Sequence, residues 1–149
     1  MRIVVELIAA KVVDDELRYQ CMERDCPRTG DPNLTAKAAL AARFPDLWLQ
    51  NAILHSTSWR YEDDRIVLTY LGYSELLSPE QLSEHFPLGA VKDPDDGPHA
   101  VAAHAVRHLA FLVREDPRRY KGKLQPSTLS ALARVAPEMA GRRDLKGAA

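Results

Sequence analysis

LWLQNAILHSTSWRYEDDRIVLTYLGY, residues 47–73, reads as two β-strands joined by a tight turn at Asp63-Asp64. Aspartate suits such a turn because its side chain bonds the local backbone and because it tolerates unusual backbone angles. Aromatic and β-branched residues that face each other across two strands stabilise a hairpin. The turn predicts three such pairs: Tyr61 with Ile66, Trp59 with Leu68, and Thr57 with Tyr70.

The first of these strands carries polar side chains on both faces. Successive side chains alternate between the faces of a strand, so His55, Thr57 and Trp59 are predicted on one face and Arg60 on the other. The guanidinium of Arg60 can bind a phosphate or a carboxylate, and Trp59 can stack on a ring. Only a bulge near Ser58 would bring both to one pocket, so the face with His55 is predicted to bind the ligand.

The composition indicates one soluble globular domain of 149 residues, with 28% charged and 46% hydrophobic residues. The formal net charge of −1 gives no general attraction for nucleic acid or for an anionic membrane, so neither is predicted as a partner. The apolar N-terminus is interrupted by Glu6 and Lys11 and lacks a cleavage site. A cytoplasmic location is expected, which Cys21 and Cys26 also suit. The oligomeric state is left open.

The N-terminal residues predict a second hairpin. Arg2 to Val13 is almost continuously apolar and β-branched, as in a strand that is covered on both faces, and Asp14-Asp15 can turn the chain into a second strand. Glu6 shares a face with Val4 and Ile8 in this strand. We therefore expect Glu6 to be largely buried or to line a pocket, with Arg60 or a histidine as its partner.

The rest of the chain predicts helices separated by loops rich in proline and glycine. Helices are predicted from Asn33 or Thr35 to Phe44, over 79–85 with Ser78 as N-cap, over 99–115, and over 127–135. Loops are predicted over 23–33, 87–98 and 118–123, and a frayed tail over 141–149. The loop at 118–123 is RRYKGK, which is basic.

His104 and His108 have the i, i+4 spacing of metal ligands on a helix. The motif that uses this spacing needs a glutamate after the first histidine, and Ala105 stands there. Both histidines are predicted to lie away from the core stripe of their helix, and no metal site is predicted. A pocket shared with His55 is the arrangement that would favour a metal.

The order of elements resembles the Nudix hydrolase fold over Arg2 to Glu115. The resemblance implies an α/β/α sandwich around a mixed sheet, and the Nudix family holds divalent cations with carboxylates of a signature helix. The matching stretch here is TAKAALAARFPD, where Ala41-Ala42 and Pro45-Asp46 replace the Arg-Glu and Glu-Glu pairs. Alanine offers no oxygen ligand to magnesium, so no catalytic residue is carried over.

The sequence thus predicts an α/β (α+β) fold with a Nudix-like domain over 1–115 and a long C-terminal helix. Residues 116–149 are assigned to the same domain as a basic loop, a short helix and a flexible tail. The leading function is non-catalytic binding of a small anionic or nucleotide-like ligand, without cofactor. The predicted binding residues are His55, Thr57, Trp59, Arg60, Tyr70 and Glu6. The alternatives are a hydrolase site built from Glu6, Glu23, His55 and His104, and a protein-interaction or structural domain.

Overall fold

A six-stranded mixed β-sheet organises the chain in the computed structural model, which describes residues 1–90 and 97–144. The strands are β1 (Arg2–Val13), β2 (Glu16–Cys26), β3 (Ile53–Glu62), β4 (Arg65–Tyr73), β5 (Glu84–Pro87) and β6 (Gly141–Arg142). The α-helices of this part of the chain are α1 (Pro32–Arg43), α2 (Ala100–Glu115), α3 (Pro117–Tyr120) and α4 (Pro126–Ala133). Single 3₁₀ turns lie at Leu49–Asn51, Pro79–Gln81, Leu88–Ala90 and Lys121–Lys123. The fold is therefore mixed α and β.

The two predicted hairpins lie side by side in this sheet, whose strand order is β5-β2-β1-β4-β3-β6. Strands β1 and β2 pair antiparallel, as do β3 and β4, while β1 and β4 join the two hairpins in parallel. Three aspartates of the turns, Asp14, Asp15 and Asp63, have positive φ angles of 50°, 62° and 56°. Aspartate tolerates this left-handed region better than most residues, which confirms the physical basis of both predicted turns.

Each face of the sheet is covered by helices, and each face has its own apolar core. Helix α1 packs its buried alanines and Leu40 against Leu7 and Ala9 of β1. Helices α2 and α4 pack on the opposite face, where Ile8 and Leu71 meet Leu109. Strand β1 alternates between these two cores, which explains its nearly continuous apolar sequence.

A β-bulge at Thr57 corrects the predicted register of the central hairpin. Trp59 faces Leu68 and Tyr61 faces Ile66 as predicted, but Ser56 faces Tyr70 and Ser58 faces Thr69. The predicted pair of Thr57 with Tyr70 is therefore wrong. Because the bulge adds one residue to β3, the side chains that follow it exchange faces.

The exchange of faces separates residues that were predicted to lie together. His55 and Arg60 now lie on the face of α2, because they pair with Leu71 and Val67 of β4. Trp59 lies on the face of α1. The prediction that His55, Thr57 and Trp59 share one face, with Arg60 on the other, is wrong for this reason.

Several predicted boundaries also change. The cap of α1 is Asp31, whose carboxylate accepts from the Asn33 amide at 2.9 Å, with Pro32 in the first turn, rather than Asn33 or Thr35. The predicted loop over 23–33 begins later, because residues 23–26 extend β2. The predicted helix over 79–85 is a 3₁₀ turn followed by β5, which pairs with β2. Predicted loop residues 91–96 lie outside the described residues.

The C-terminal part is more regular than its composition suggests. Residues of the predicted basic loop over 118–123 form α3 and a 3₁₀ turn, because Asp116 caps the segment and Pro117 starts it. Helix α2 has its predicted position within one residue, and it is followed by α3, α4 and β6. Gly141–Arg142, predicted as frayed, pairs in parallel with Ser58 and Trp59. Residues 145–149 of that tail lie outside the described residues.

Among residues 1–90 and 97–144, none of the helices has the length and apolar character needed to cross a membrane.

Gly72 of β4 allows α1 to approach the sheet. A Cβ at this position would lie 3.3 Å from both Leu40 methyl groups and from a Leu7 methyl group. We predict that Gly72→Val lowers the free energy of unfolding by about 1–3 kcal/mol, since overpacking a buried contact costs this much. Urea denaturation measures the change. Gly122→Val is the control, because a Cβ there meets nothing within 4 Å; equal stability losses in both variants would contradict the packing argument.

Candidate functional site

Glu6 and Arg60 form a buried ion pair across the sheet. Each residue is 6% exposed. The Arg60 Nη1 and Nη2 atoms donate to the two Glu6 carboxylate oxygens at 3.0 and 3.2 Å, and the Thr69 hydroxyl donates to Glu6 at 2.8 Å. The prediction that Glu6 is buried with Arg60 as its partner is confirmed.

Further charged side chains extend this ion pair into a network. The Arg60 Nε atom donates to Glu62 at 3.1 Å, and Arg65 donates to Glu62 and, at 3.2 Å, to Glu23. Burial alone would lower the pKa of Arg60, but its hydrogen bonds to Glu6 and Glu62 outweigh burial and raise it. Arg60 therefore stays charged, and its donors are already engaged by protein carboxylates. Its predicted role in ligand binding stays a prediction that these contacts do not favour.

His104 anchors α2 to the bulge of β3. It is 2% exposed, so the prediction that it lies away from the core is wrong. Its Nε2 atom lies 3.1 Å from the Thr57 carbonyl oxygen and its Nδ1 atom 2.9 Å from a Glu138 carboxylate oxygen. Protein oxygen atoms therefore engage both ring nitrogens of His104. Arg107 also donates to Glu138, at 3.2 Å.

His108 lies one turn further along α2 and is also buried, at 3% exposed. Its Nδ1 atom donates to the Glu138 backbone carbonyl at 3.0 Å, while its buried Nε2 atom has no partner among the described residues. Burial lowers the pKa of His108, and the nearby charges of His55 and His104 lower it further. The ring centres of His55 and His108 are 5.1 Å apart. The structure thus brings His55 beside His108.

Trp59 and Tyr70 lie on the opposite side of the sheet from these histidines. Trp59 contacts Tyr61 edge to face, and the Arg142 guanidinium lies 5.6 Å from the Trp59 ring centre and 5.2 Å from that of Tyr61. Tyr70 is 6% exposed and belongs to the core under α1. The predicted binding residues therefore do not form one pocket.

A cleft of about 250 Å³ lies where α1, the start of β3 and α3 meet. Sequence reasoning selected only His55 from its lining. Lys37 of α1, Arg119 of α3 and Lys123 of the following 3₁₀ turn also line it, and Leu40 and Leu54 contribute apolar surface. The basic RRYKGK stretch was the available signal for two of these cations. Lys37 lies in an alanine-rich helix, and the sequence around it gives no signal of a binding site.

Lys37, Arg119 and Lys123 make the lining of the cleft positive, and no carboxylate of the described residues lines it. Across residues 1–90 and 97–144, no carboxylate forms an ion pair with Lys37, Arg119 or Lys123. The Lys123 ammonium donates to the Ala52 carbonyl at 3.3 Å, and the Arg119 guanidinium lies 5.5 Å from the Tyr120 ring centre. These contacts orient the two cations without neutralising them.

The alternative hydrolase site is not assembled as the sequence predicted. Glu6 and Glu23 both bind arginines, and both His104 nitrogens have partners. The thiol of Cys21 is no stronger a candidate, because desolvation and the charge of Glu6 raise its pKa to about 12, although the residue as a whole is exposed. Among the described residues, no three or more histidines, cysteines, aspartates and glutamates group as metal ligands.

The buried ion pair makes a prediction about stability. Glu6→Ala leaves the Arg60 charge buried without its main partner, so the free energy of unfolding should fall by about 3–5 kcal/mol. The control is Asp25→Ala, which removes the pair with Arg2, whose side chains are 67% and 78% exposed; it should cost at most about 1 kcal/mol. Urea denaturation of both variants measures the difference. Similar losses would show that Glu6 does not hold a buried charge in place.

Glu62 makes a prediction about acid stability. Hydrogen bonds from Arg65 and Arg60 lower the pKa of Glu62 below its ordinary value of 4.5. As the pH falls, Glu62 is therefore protonated in the unfolded chain before it is protonated in the folded chain. The stabilisation that ionised Glu62 gives the folded state is present above about pH 4.5 and is lost as the pH falls further. Glu62→Gln should flatten the decline of unfolding free energy between about pH 5 and 3. The exposed Glu115→Gln serves as control and should leave the slope unchanged.

Comparisons with known proteins identify no relative of this chain. No family model matches it, and neither the curated proteins nor the solved structures give a significant match. The functional proposals that follow therefore depend on the residues and on their geometry.

Proposed function

We propose that the protein binds a small anion with an apolar or ring-shaped body, of the carboxylate or phosphate-ester class, in the cleft between α1, β3 and α3. One observation carries the proposal: Lys37, Arg119 and Lys123 line the cleft together with His55, and no carboxylate lies among the lining residues. Positive groups around a concave surface attract and hold an anion.

The cations differ in what they offer an anion. The guanidinium of Arg119 can donate two parallel hydrogen bonds to a carboxylate or a phosphate, while Lys37 and Lys123 act as point charges that approach from other directions. Three elements supply them, so an anion at the centre would be contacted from several sides. This arrangement favours a compact anionic group over an extended polyanion.

The apolar part of the lining limits the rest of the ligand. Leu40 and Leu54 provide surface for an alkyl or aromatic group. The volume of about 250 Å³ is slightly below the roughly 300–1,000 Å³ of sites that hold drug-sized ligands. A simple phosphate ester or an aromatic carboxylate suits this size, and a nucleotide-like ligand would be at its upper limit.

Only His55 is shared between this cleft and the binding residues that the sequence predicted. Thr57, Trp59, Arg60, Tyr70 and Glu6 do not line it. The Nudix-like layout stays a prediction on which the proposal does not depend. The stretch TAKAALAARFPD, which lacks the Nudix carboxylates, contributes Lys37 instead.

The two alternatives remain predictions with less support. The hydrolase hypothesis needs a free carboxylate near His55, and Glu6 already binds Arg60 and Thr69. The interaction hypothesis used the C-terminal region as an exposed contact surface. Tyr120 and Leu132 of that region are buried, at 5% and 1% exposed, which favours a structural role for much of it.

Calorimetric titration with phenyl phosphate and with benzoate tests the anion site. Arg119→Gln should weaken binding about 10–100-fold, since a hydrogen bond to a charged group contributes about 1.5–3 kcal/mol. The matched control is Arg118→Gln, which removes the same charge from an exposed neighbour outside the cleft. Phenol should bind far more weakly than phenyl phosphate, because it lacks the anionic group.

Two results would contradict the proposal. The first is that neither anion binds the wild-type chain. The second is that Arg118→Gln reduces affinity as much as Arg119→Gln does, which would indicate a diffuse charge effect. Rising salt should weaken binding in the wild type. Lys37→Gln supplies an independent check from the opposite wall of the cleft.

A further inference from the structure

The buried Nε2 atom of His108 has an unused lone pair. His108 is 3% exposed, and its Nδ1 atom must carry the proton because it donates to the Glu138 carbonyl at 3.0 Å. In the neutral ring this leaves Nε2 as an acceptor, and no described residue donates to it. A buried polar atom without a partner costs free energy, so its retention needs an explanation.

His55 is in the same protonation arrangement. Its Nδ1 atom lies 2.7 Å from the Ser56 carbonyl oxygen, which can only accept, so the proton is on Nδ1 and the lone pair of the neutral ring is on Nε2. Backbone carbonyls orient metal-binding histidines in this way by fixing the tautomer. His55 and His108 thus each present a free Nε2 atom, although they come from a strand and from a helix.

The distance between the two rings fits a shared ion. Metal–nitrogen bonds to histidine are about 2.0–2.1 Å long and each ring centre lies roughly 1.1 Å behind its nitrogen, so two imidazoles on one tetrahedral ion have centres about 5.2 Å apart. The His55 and His108 ring centres are 5.1 Å apart, and the rings are tilted by 49° rather than stacked.

We propose that His55 and His108 bind one divalent transition-metal ion of the zinc, cobalt or nickel type through their Nε2 atoms. Imidazole suits these ions, whereas magnesium and calcium prefer oxygen ligands. Two protein ligands leave the remaining positions of the ion to water. Because His55 lines the cleft and His108 does not, the ion would reach the buried Nε2 atom of His108 from the side of His55.

His104 is not part of the proposed site, although the sequence spacing pairs it with His108. Both of its nitrogens already bind acceptors, Thr57 and Glu138. His108 would bind the ion through Nε2, because its Nδ1 atom already donates to the Glu138 carbonyl. The proposed site goes beyond the anion-binding function and does not depend on it, since the metal alone can be tested.

Equilibrium dialysis against Zn²⁺ at pH 7.5 tests the site in the full chain. Cys21→Ser serves as the background, so that this free cysteine cannot compete for the ion. We expect one ion per chain. His55→Gln and His108→Gln should each weaken binding by more than about 10-fold, since loss of even an outer-shell partner costs about 10–100-fold. The control is His85→Gln, which removes an exposed histidine and should bind as the background does.

A second measurement separates ligation from a structural effect. Zn²⁺ should shift the ¹⁵N resonances of Nε2 in both His55 and His108, and Mg²⁺ should shift neither. His55 is half-buried on a strand, so His55→Gln decides the question if His108→Gln does not fold. Absence of a bound ion in the background protein, or wild-type affinity in His55→Gln, would overturn the proposal.

Discussion

The ion pair between Glu6 and Arg60 sets the register on which the rest of the structure depends. Both charges are almost fully buried, and removing them from water is costly unless each is paired and hydrogen-bonded. Thr69 lies between them on β4 and bonds both partners. Arg60 can reach Glu6 only from the α2 face of the sheet, and it reaches that face because β3 contains one extra residue at Thr57. The bulge and the ion pair therefore require each other: without the bulge Arg60 would point towards α1, and Glu6 would be a buried charge with no counterion.

The same bulge also determines where α2 lies, and so connects the core to both proposed sites. The Thr57 carbonyl accepts from His104, which ties α2 to the centre of β3, and Ser58 and Trp59 pair with β6 beyond the bulge. His108 follows His104 by one turn on the same helix face, since residues four apart are neighbours on an α-helix. That turn places His108 beside His55, two residues before the bulge. A local irregularity in one strand thus positions the pair of free imidazole nitrogens, and bulges are over-represented next to functional sites.

Local sequence patterns predict much of the fold, but they do not predict contacts between residues that are distant in sequence. Both hairpins followed from alternation and from paired aspartates, and the burial of Glu6 with Arg60 followed from the need of a buried charge for a partner. Local alternation does not predict the bulge, because a strand that carries polar side chains on both faces fits either register equally well. Ser78-Pro79 has the form of a helix start, so the local pattern predicts a helix over 79–85, whereas tertiary packing decides the pairing of β5 with β2. Of the residues that line the cleft, the sequence predicts only His55 as a binding residue. Lys37 and Arg119 are separated by 82 positions in sequence, and only the packing of α1 and α3 near the start of β3 brings them to one opening.

The charge distribution gives the strongest reason to regard this opening as functional. The chain has 20 basic and 21 acidic residues, so there is no overall shortage of carboxylates to pair with its cations. Ion pairing with carboxylates is concentrated at the more buried cations, such as Arg60, Arg65 and Arg107, whereas exposed cations such as Arg28 and Arg118 form no ion pair within the described residues. Around the cleft the described residues provide no such pairing, although cations that lie close together repel each other. Stability alone would favour a carboxylate among Lys37, Arg119 and Lys123, as it has been supplied around Arg60. Cations from α1, from α3 and from the 3₁₀ turn after α3 meet at one opening that no carboxylate of the described residues lines, which is the arrangement expected if an external anion completes the proposed site.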